Sequence, residues 1–302
     1  MSILRTAAEI EHMHRSTSYI SGASPLVGRV LAHEDRFGDG APSWPNAPSS
    51  TDTAKTRQRH VKRLRRFAND FPGADQLADI IESCEPGHRC TSGACPECGR
   101  AFQRWFVEQV SSLTADADPQ HLFSISLALA KQRTAEHQLH TLHTAGIKRA
   151  LPYTLGKATG LAWVAGGIDL SLNDDTQKGS DIGWQPQFYG LALTSDLSCL
   201  SDVLRCRYQR TTYAPRPVQI KESDGRAEAF SYAFKTDFVQ RTAYKDPQNR
   251  SNTRKTYLRP KNHVQAMLWM HQSGFSDRLY LKGIRMTRVG DNVRLATVKR
   301  LE

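Results

Sequence analysis

WQPQFYGLALT, residues Trp184–Thr194, is the stretch on which the reading of the fold turns. It is rich in aromatic and aliphatic residues and reads as a β-strand. Side chains at i and i+2 of a strand share a face, so Gln187 and Tyr189 project together toward one cavity. Further strands are expected on either side. LFSISLALA (Leu122–Ala130) alternates, LAWVAGGIDLSLN (Leu161–Asn173) is a longer apolar run, and RPVQIKES (Arg216–Ser223) is a fourth candidate. Between them, TAEHQLHTLHTAGIKRAL (Thr134–Leu151), SDLSCLSDVLRCRY (Ser195–Tyr208) and EAFSYAFKTDFVQR (Glu228–Arg241) read as helices. A helix at Asn262–Gln272 and strands in LYLKGIRMTRV and VRLATVKRL follow. Few strands interleaved with helices and long turns predict an α+β fold, an antiparallel-type sheet with helices packed on it.

Upstream the pattern changes. Residues 1–53 have little periodicity, and Gly38–Thr53 (GDGAPSWPNAPSSTDT) has the composition of a flexible segment. Residues 54–115 read as a basic helix and a helical zinc-knuckle module, and residues 116–302 as the sheet domain with a basic C-terminal extension. Leu77, Ile80 and Ile81 share one helix face, as do Phe102, Trp105, Phe106, Gln109, Val110 and Leu113. That period assigns the aromatics to a core rather than to a base-stacking platform.

The module takes its name from CEPGHRCTSGACPECGR, where Cys84, Cys90, Cys95 and Cys98 fall in the spacing C-x5-C-x4-C-x2-C. Four thiolates at short spacing supply a tetrahedron for Zn²⁺ without a large fold. Free buried thiols are the competing reading. Gly87, Ser92, Gly93, Pro96 and Gly99 speak against it, because they make the segment turn-rich. His88 is the one residue in the segment able to replace a thiolate. The N-terminus MSILRTAAEIEHMH has no apolar signal-peptide core, so the thiols are expected to stay reduced in a cytoplasm. The apolar run Leu161–Ile168 is too short to span a bilayer, so no membrane partner is expected.

The 302 residues carry a formal net charge of +11, with a pI near 9.5. An anionic partner is implied, with nucleic acid the default. Two clusters hold much of the excess. Lys55–Arg66 contains Lys55, Arg57, Arg59, Lys62, Arg63, Arg65 and Arg66 and no acid, and reads as helical. Arg241–Lys261 contains Arg250, Arg254, Lys255, Arg259 and Lys261 among its seven basic residues, with one acid, and reads as a loop or arm. Taken singly, each cluster reads as a solvated surface. Two clusters beside a candidate zinc knuckle favour DNA binding.

The order of elements from Leu122 onward resembles the rolling-circle replication initiators of plasmids and phages, the HUH endonucleases, many of which carry a Cys-rich knuckle before the catalytic domain. The resemblance covers roughly Cys84 to Arg241 and rests on three short motifs. LFSISLA (Leu122–Ala128) fits the apolar framing strand. Trp184–Leu193 fits the flanks of the Pro-His-x-His motif. Tyr232 and Lys235, in AFSYAFK, fit the family's Tyr-x-x-Lys helix. The resemblance implies a Tyr232 nucleophile that forms a phosphotyrosine link to DNA and a Lys235 that balances phosphate charge.

This chain departs from the family where Gln187 and Tyr189 stand in place of the two histidines that hold a divalent ion. A Gln187 amide oxygen can still touch Mg²⁺ or Mn²⁺, whereas a neutral phenol at Tyr189 is a poor ligand. Asp169, in GGIDLSLN, is a candidate carboxylate from a neighbouring strand. The expected function is recognition of single-stranded or origin DNA with weak or no nicking. A working Tyr232-dependent endonuclease and a zinc-ribbon regulator of transcription or RNA are the alternatives. His137, His140 and His143 read as a solvated helix face, and Cys199 and Cys206 as small packing groups.

Overall fold

The computed structural model describes residues 25–37, 44–45, 47–176, 181–236 and 238–298. Its helices are α1 (Pro25–Phe37), α2 (Ser50–Arg66), α3 (Ala74–Glu82), α4 (Pro96–Thr114), α5 (Thr144–Leu155), α6 (Leu197–Arg207), α7 (Ala227–Ser231) and α8 (Pro260–Arg278). Its strands are β1 (Leu122–Ala128), β2 (Thr134–Ala135), β3 (Leu161–Asp174), β4 (Ile182–Thr194), β5 (Val218–Glu222), β6 (Val239–Lys245), β7 (Ser251–Tyr257), β8 (Leu279–Lys282), β9 (Ile284–Val289) and β10 (Asn292–Thr297). The architecture is α+β, and a four-cysteine cluster sits in its N-terminal part.

The main sheet runs β5-β1-β4-β3-β6-β7, with β2 on β4 and β8 on β3. Its pairings are antiparallel except β3 with β6, which is parallel. One edge of β3 serves two partners, β8 along Val164–Gly167 and β6 along Ser171–Asp174. β9 and β10 form a separate hairpin.

Register fixes which residues share a face. Asp169 is opposite Gln187, which is opposite Ala128, and Gly167 is opposite Tyr189, which is opposite Ser126. The intervening residues Ile168, Leu170, Leu172, Trp184 and Phe188 are buried on the other face. The polar face is partly covered by a 3₁₀ turn, Tyr232–Phe234, that follows α7. A Cβ on Gly167 would lie 2.0 Å from the Ala233 carbonyl oxygen, so only glycine lets this turn sit down on β3. α4 lies behind the turn. Phe102 and Phe106 both meet Phe234 at 4.9 Å between ring centroids, and Phe102 stacks on Phe275 of α8 at 4.6 Å. The Trp105 indole N–H donates to the Val293 carbonyl.

One apolar core runs from Val27 to Leu295, and residues 54–115 and 116–302 both contribute to it. Within the segment expected to be flexible, α1 buries Val27, Val30 and Leu31, and Trp44 is buried. Residues 1–24, 38–43 and 46 lie outside the described residues.

Three local expectations also change. Thr134–Leu151 is not one helix. Thr134 and Ala135 are drawn into the sheet against Trp184 and Gly183, and the helix begins at Thr144, which leaves His137 and His140 outside it and His143 at its N-cap. Glu228–Arg241 is helical only through Ser231. Tyr232 opens the 3₁₀ turn, Lys235 is extended, and the chain enters β6 at Val239, because the open edge of β3 captures it. The expected arm Arg241–Lys261 is mostly the β6–β7 hairpin, in which Arg241 faces Lys255. Asp246 caps its turn by accepting from the Gln248 and Arg250 amides, and Asn249 takes the left-handed conformation at φ 58°.

Candidate functional site

Two sites emerge. The first is the cysteine cluster. Cys84 follows α3, Cys90 lies in the connecting turn, Cys95 is the N-cap of α4 and Cys98 is in its first turn. Gly87 and Thr91, at φ 82° and 57°, turn the chain back so that the thiols meet. The Cys84 and Cys98 sulfurs are 3.6 Å apart, those of Cys90 and Cys98 3.7 Å, and all four lie within 4.8 Å of one another. A tetrahedral ion with bonds of ~2.3 Å to sulfur requires edges of about 3.8 Å, so the donor set fits a metal such as zinc. The Cys90 amide donates to the Cys84 sulfur at 3.5 Å. Hydrogen bonds from the other three thiols hold Cys84 far below the usual thiol range. Hydrogen bonds with Cys84 and Cys90 push Cys95 and Cys98 well above it. His88 faces solvent beside Glu85, away from the sulfurs, and does not join the set.

The cluster is bolted to its neighbours. The Arg57 guanidinium donates to the Cys84 carbonyl, and the buried His60 ring is 3.4 Å from the Ala94 carbonyl. His271 of α8 meets the Ser92 hydroxyl at 3.0 Å, and a Cβ on Gly93 would lie 2.5 Å from the Met270 carbonyl oxygen. The metal-competent turn is thus clamped between α2 and α8.

The second site is a cleft of about 350 Å³ between the polar face of the sheet, the α7 turn and α4. Asp169, Gln187, Tyr232 and Lys235 line it together, joined by Arg241 and Lys255 of the hairpin. Tyr189 lies beside it, its ring 5.7 Å from that of Tyr232. Tyr232 is 42% exposed, open to a ligand. Asp169 is buried, and its carboxylate takes an ion pair from the Lys235 ammonium at 3.0 Å. The same ammonium lies 5.0 Å from the centre of the Tyr232 ring. The Gln187 amide donates to Ser171, which donates to Asn173. Beneath Asp169, the fully buried Arg278 donates to the Ile168 and Lys235 carbonyls. Burial lowers its pKa to about 10, and the Asp169 carboxylate offsets part of that loss.

Arg241 and Lys255 can seat an anion here with two phenols beside it, while Lys235 is held by Asp169 and Glu228 adds a second carboxylate to the lining. Burial raises the Tyr189 pKa, so at neutral pH the phenol is protonated and offers little to a cation. Among the described residues, the four cysteines are the one group of three or more His, Cys, Asp or Glu close enough to hold a metal ion. Arg241, Ser171 and Glu228 were missed as cleft residues. The pairing of β6 with β3 brings Arg241 in, and no short motif records that pairing.

The predicted basic residues divide. On α2, Lys55, Arg59, Lys62 and Arg66 are exposed and Arg63 is half-buried. Arg57 is committed to the cysteine turn, and Arg65 pairs with Asp79 and Glu82. On and after the hairpin, Arg254, Lys255 and Arg259 are exposed, whereas Arg250 pairs with Asp246 and Lys261 with Asp70, both at 2.9 Å. Among the described residues, no helix is long and apolar enough to cross a membrane. No family model, curated protein or solved structure matches the chain.

Proposed function

We propose that the chain binds DNA as a replication-initiator-like protein, taking a single strand into the Tyr232 cleft, with zinc on the four cysteines as a structural ion. One observation carries this reading. Residues far apart in sequence that match the initiator motifs, Gln187 and the Tyr232–Lys235 pair, line one cleft with Tyr189 at its side. The cleft offers a phosphate backbone two cations, Arg241 and Lys255, beside the Lys235–Asp169 pair, and a tyrosine open to it.

The chemistry of the cleft favours binding over cleavage. An initiator polarises the scissile phosphate with a divalent ion on two imidazoles. Here an amide and a protonated phenol stand there, and the carboxylate opposite Gln187, Asp169, is already neutralised by Lys235. Tyr232 therefore lacks the electrophilic partner that makes a phenol a useful nucleophile.

Fluorescence anisotropy with single-stranded and duplex origin-type oligonucleotides, run beside a denaturing-gel adduct assay in Mn²⁺, tests this. Salt-sensitive binding with no covalent adduct is expected. An adduct that Tyr232→Phe abolishes would establish the alternative, a working strand-transfer enzyme. Absence of binding to any DNA would remove the reading altogether. Equal affinity for unrelated duplexes and RNA would point to a zinc-ribbon regulator instead.

A further inference from the structure

The far edge of the sheet carries a second basic cavity. It encloses about 570 Å³ between β5 and the segment that follows α6, and its lining includes Arg205, Arg210, Arg216 and Lys221 with Gln209 and Gln219. No carboxylate lines it. All four cations are exposed, and none has an ion pair among the described residues. Four unneutralised cations around one concavity repel each other unless an anion joins them, and a lining without acids selects for a polyanion.

The cavity wraps the β5 edge: Val218 and Ile220 in its lining belong to the opposite face, and Gln219 and Lys221 link it to the face of the cleft. Gln219 is opposite Ser126 and Lys221 opposite Ser124 on β1, and Ser126 is opposite Tyr189 on β4. Gln219 and Lys221 therefore lie on the polar face that carries Tyr189, Gln187 and Asp169. Between the two sites the face carries Ser124, Ser126 and Ala128, each half-buried and small, with Tyr189 hydrogen-bonded to Ser124 and the Asp224 charge acting on Tyr189 from the β5–α7 connection. Such a surface lets a flexible chain lie across the strands. At the opposite edge the same face carries Arg241, Lys255 and Tyr257, which is 87% exposed, since Tyr257 pairs with Val239 and Lys255 with Arg241. From β5 to β7 are five strand spacings, about 24 Å at ~4.8 Å each.

We propose that the β5-edge cavity is a second phosphate-binding site, and that it grips the same single DNA strand that the cleft holds, the strand crossing the sheet over Ser124 and Ser126. The inference rests on the cleft reading above. It adds Arg205, Arg210, Arg216 and Lys221 as backbone contacts and gives the protein a footprint longer than the cleft alone. A single strand suits this path better than a duplex, because it can bend between two concave sites and present bases to Tyr189, Tyr232 and Tyr257, whereas duplex bases are stacked inside.

The test compares wild type with Arg205→Ala/Arg210→Ala/Arg216→Ala, three exposed substitutions that leave the core intact. Binding of dT4, dT12 and a 12-base-pair duplex is read by anisotropy over a salt series. Wild type should bind dT12 more tightly than dT4. The triple variant should lose about tenfold or more on dT12 at low salt, with the slope of log K against log salt falling by about 2, since each single-strand contact contributes ~0.7. Its dT4 affinity should match wild type, because the cleft is untouched. An unchanged dT12 slope overturns the proposal while the cleft reading stands. So does an equal loss on dT4, which would mean that the two sites are not separate, and so does a duplex that loses as much as dT12. A wild-type protein that binds no single strand overturns both readings together.

Discussion

Replacing Cys98 with Ser attacks the centre of the metal-competent cluster, because its sulfur is within 3.7 Å of both Cys84 and Cys90. A hydroxyl is a poor substitute for thiolate toward zinc. Structural zinc contributes on the order of 10–16 kcal/mol to a small site. A whole domain is stable by only about 5–15 kcal/mol. Losing even a third of the metal's contribution is therefore comparable to the stability of the fold. The loss will not stay local, because Arg57, His60 and His271 tie the turn to α2 and α8. The expected result is one equivalent of zinc per wild-type chain and much less in Cys98→Ser. Proteolytic sensitivity should rise within residues 84–95 and exchange should quicken in α2. Elemental analysis and hydrogen exchange read both effects. A purified wild-type protein that contains no metal, melts cooperatively and is unaffected by chelator would refute the reasoning.

Four further outcomes are expected. Lys62→Ala/Arg66→Ala should lower the salt slope for single-stranded DNA by about 1.4. Arg65→Ala, which removes an exposed link to Asp79 and Glu82, should leave the slope alone and shift stability by only about 0–1 kcal/mol. Gly167→Ala should drive the Tyr232–Phe234 turn off β3, costing roughly 1–3 kcal/mol and weakening dT4 binding, as thermal melts and anisotropy will show. Gln187→His/Tyr189→His places two imidazoles beside Asp169 and should produce Mn²⁺-dependent nicking that Tyr232→Phe removes. A double variant that binds Mn²⁺ yet forms no adduct with single-stranded DNA would count against the initiator resemblance.

Much of the sheet was legible because its strands are apolar on at least one face. Leu122–Ala128, Leu161–Asp174 and Trp184–Thr194 each carry that signal. The hairpin was not. Its residues Arg241, Lys245, Arg254 and Lys255 are charged, and Pro247 and Asn249 punctuate its turn, so composition says loop while pairing to β3 says strand. The helix misread at Glu228–Arg241 has the same cause, since an open strand edge outweighs a weak helical period. The four cysteines were legible because spacing alone constrains them. The cleft was legible only in part. Strand parity brings Gln187 and Tyr189 together, but the placement of Asp169 opposite Gln187 needs strand order, and Arg241 needs a parallel pairing from a distant segment.

That placement bears on why the cleft should bind rather than cut. A buried carboxylate needs a counter-charge, and a divalent ion or a neighbouring cation can supply it. In this chain the Lys235 ammonium, 3.0 Å from Asp169, fills that role, with the buried Arg278 guanidinium beneath. Removing the lysine tests the assignment. Lys235→Met should cost roughly 1–3 kcal/mol, less than for a fully buried pair because Lys235 is partly solvated. Adding Asp169→Asn should recover most of the loss by removing the orphaned charge. In the Gln187→His/Tyr189→His background, Lys235→Met should instead tighten Mn²⁺ binding, because Asp169 is released as a ligand, while nicking falls for want of a cation beside the phosphate. If Lys235→Met weakens Mn²⁺ binding there, Asp169 is not the counter-ion that separates the two states of the site, and the lysine acts on the phosphate alone.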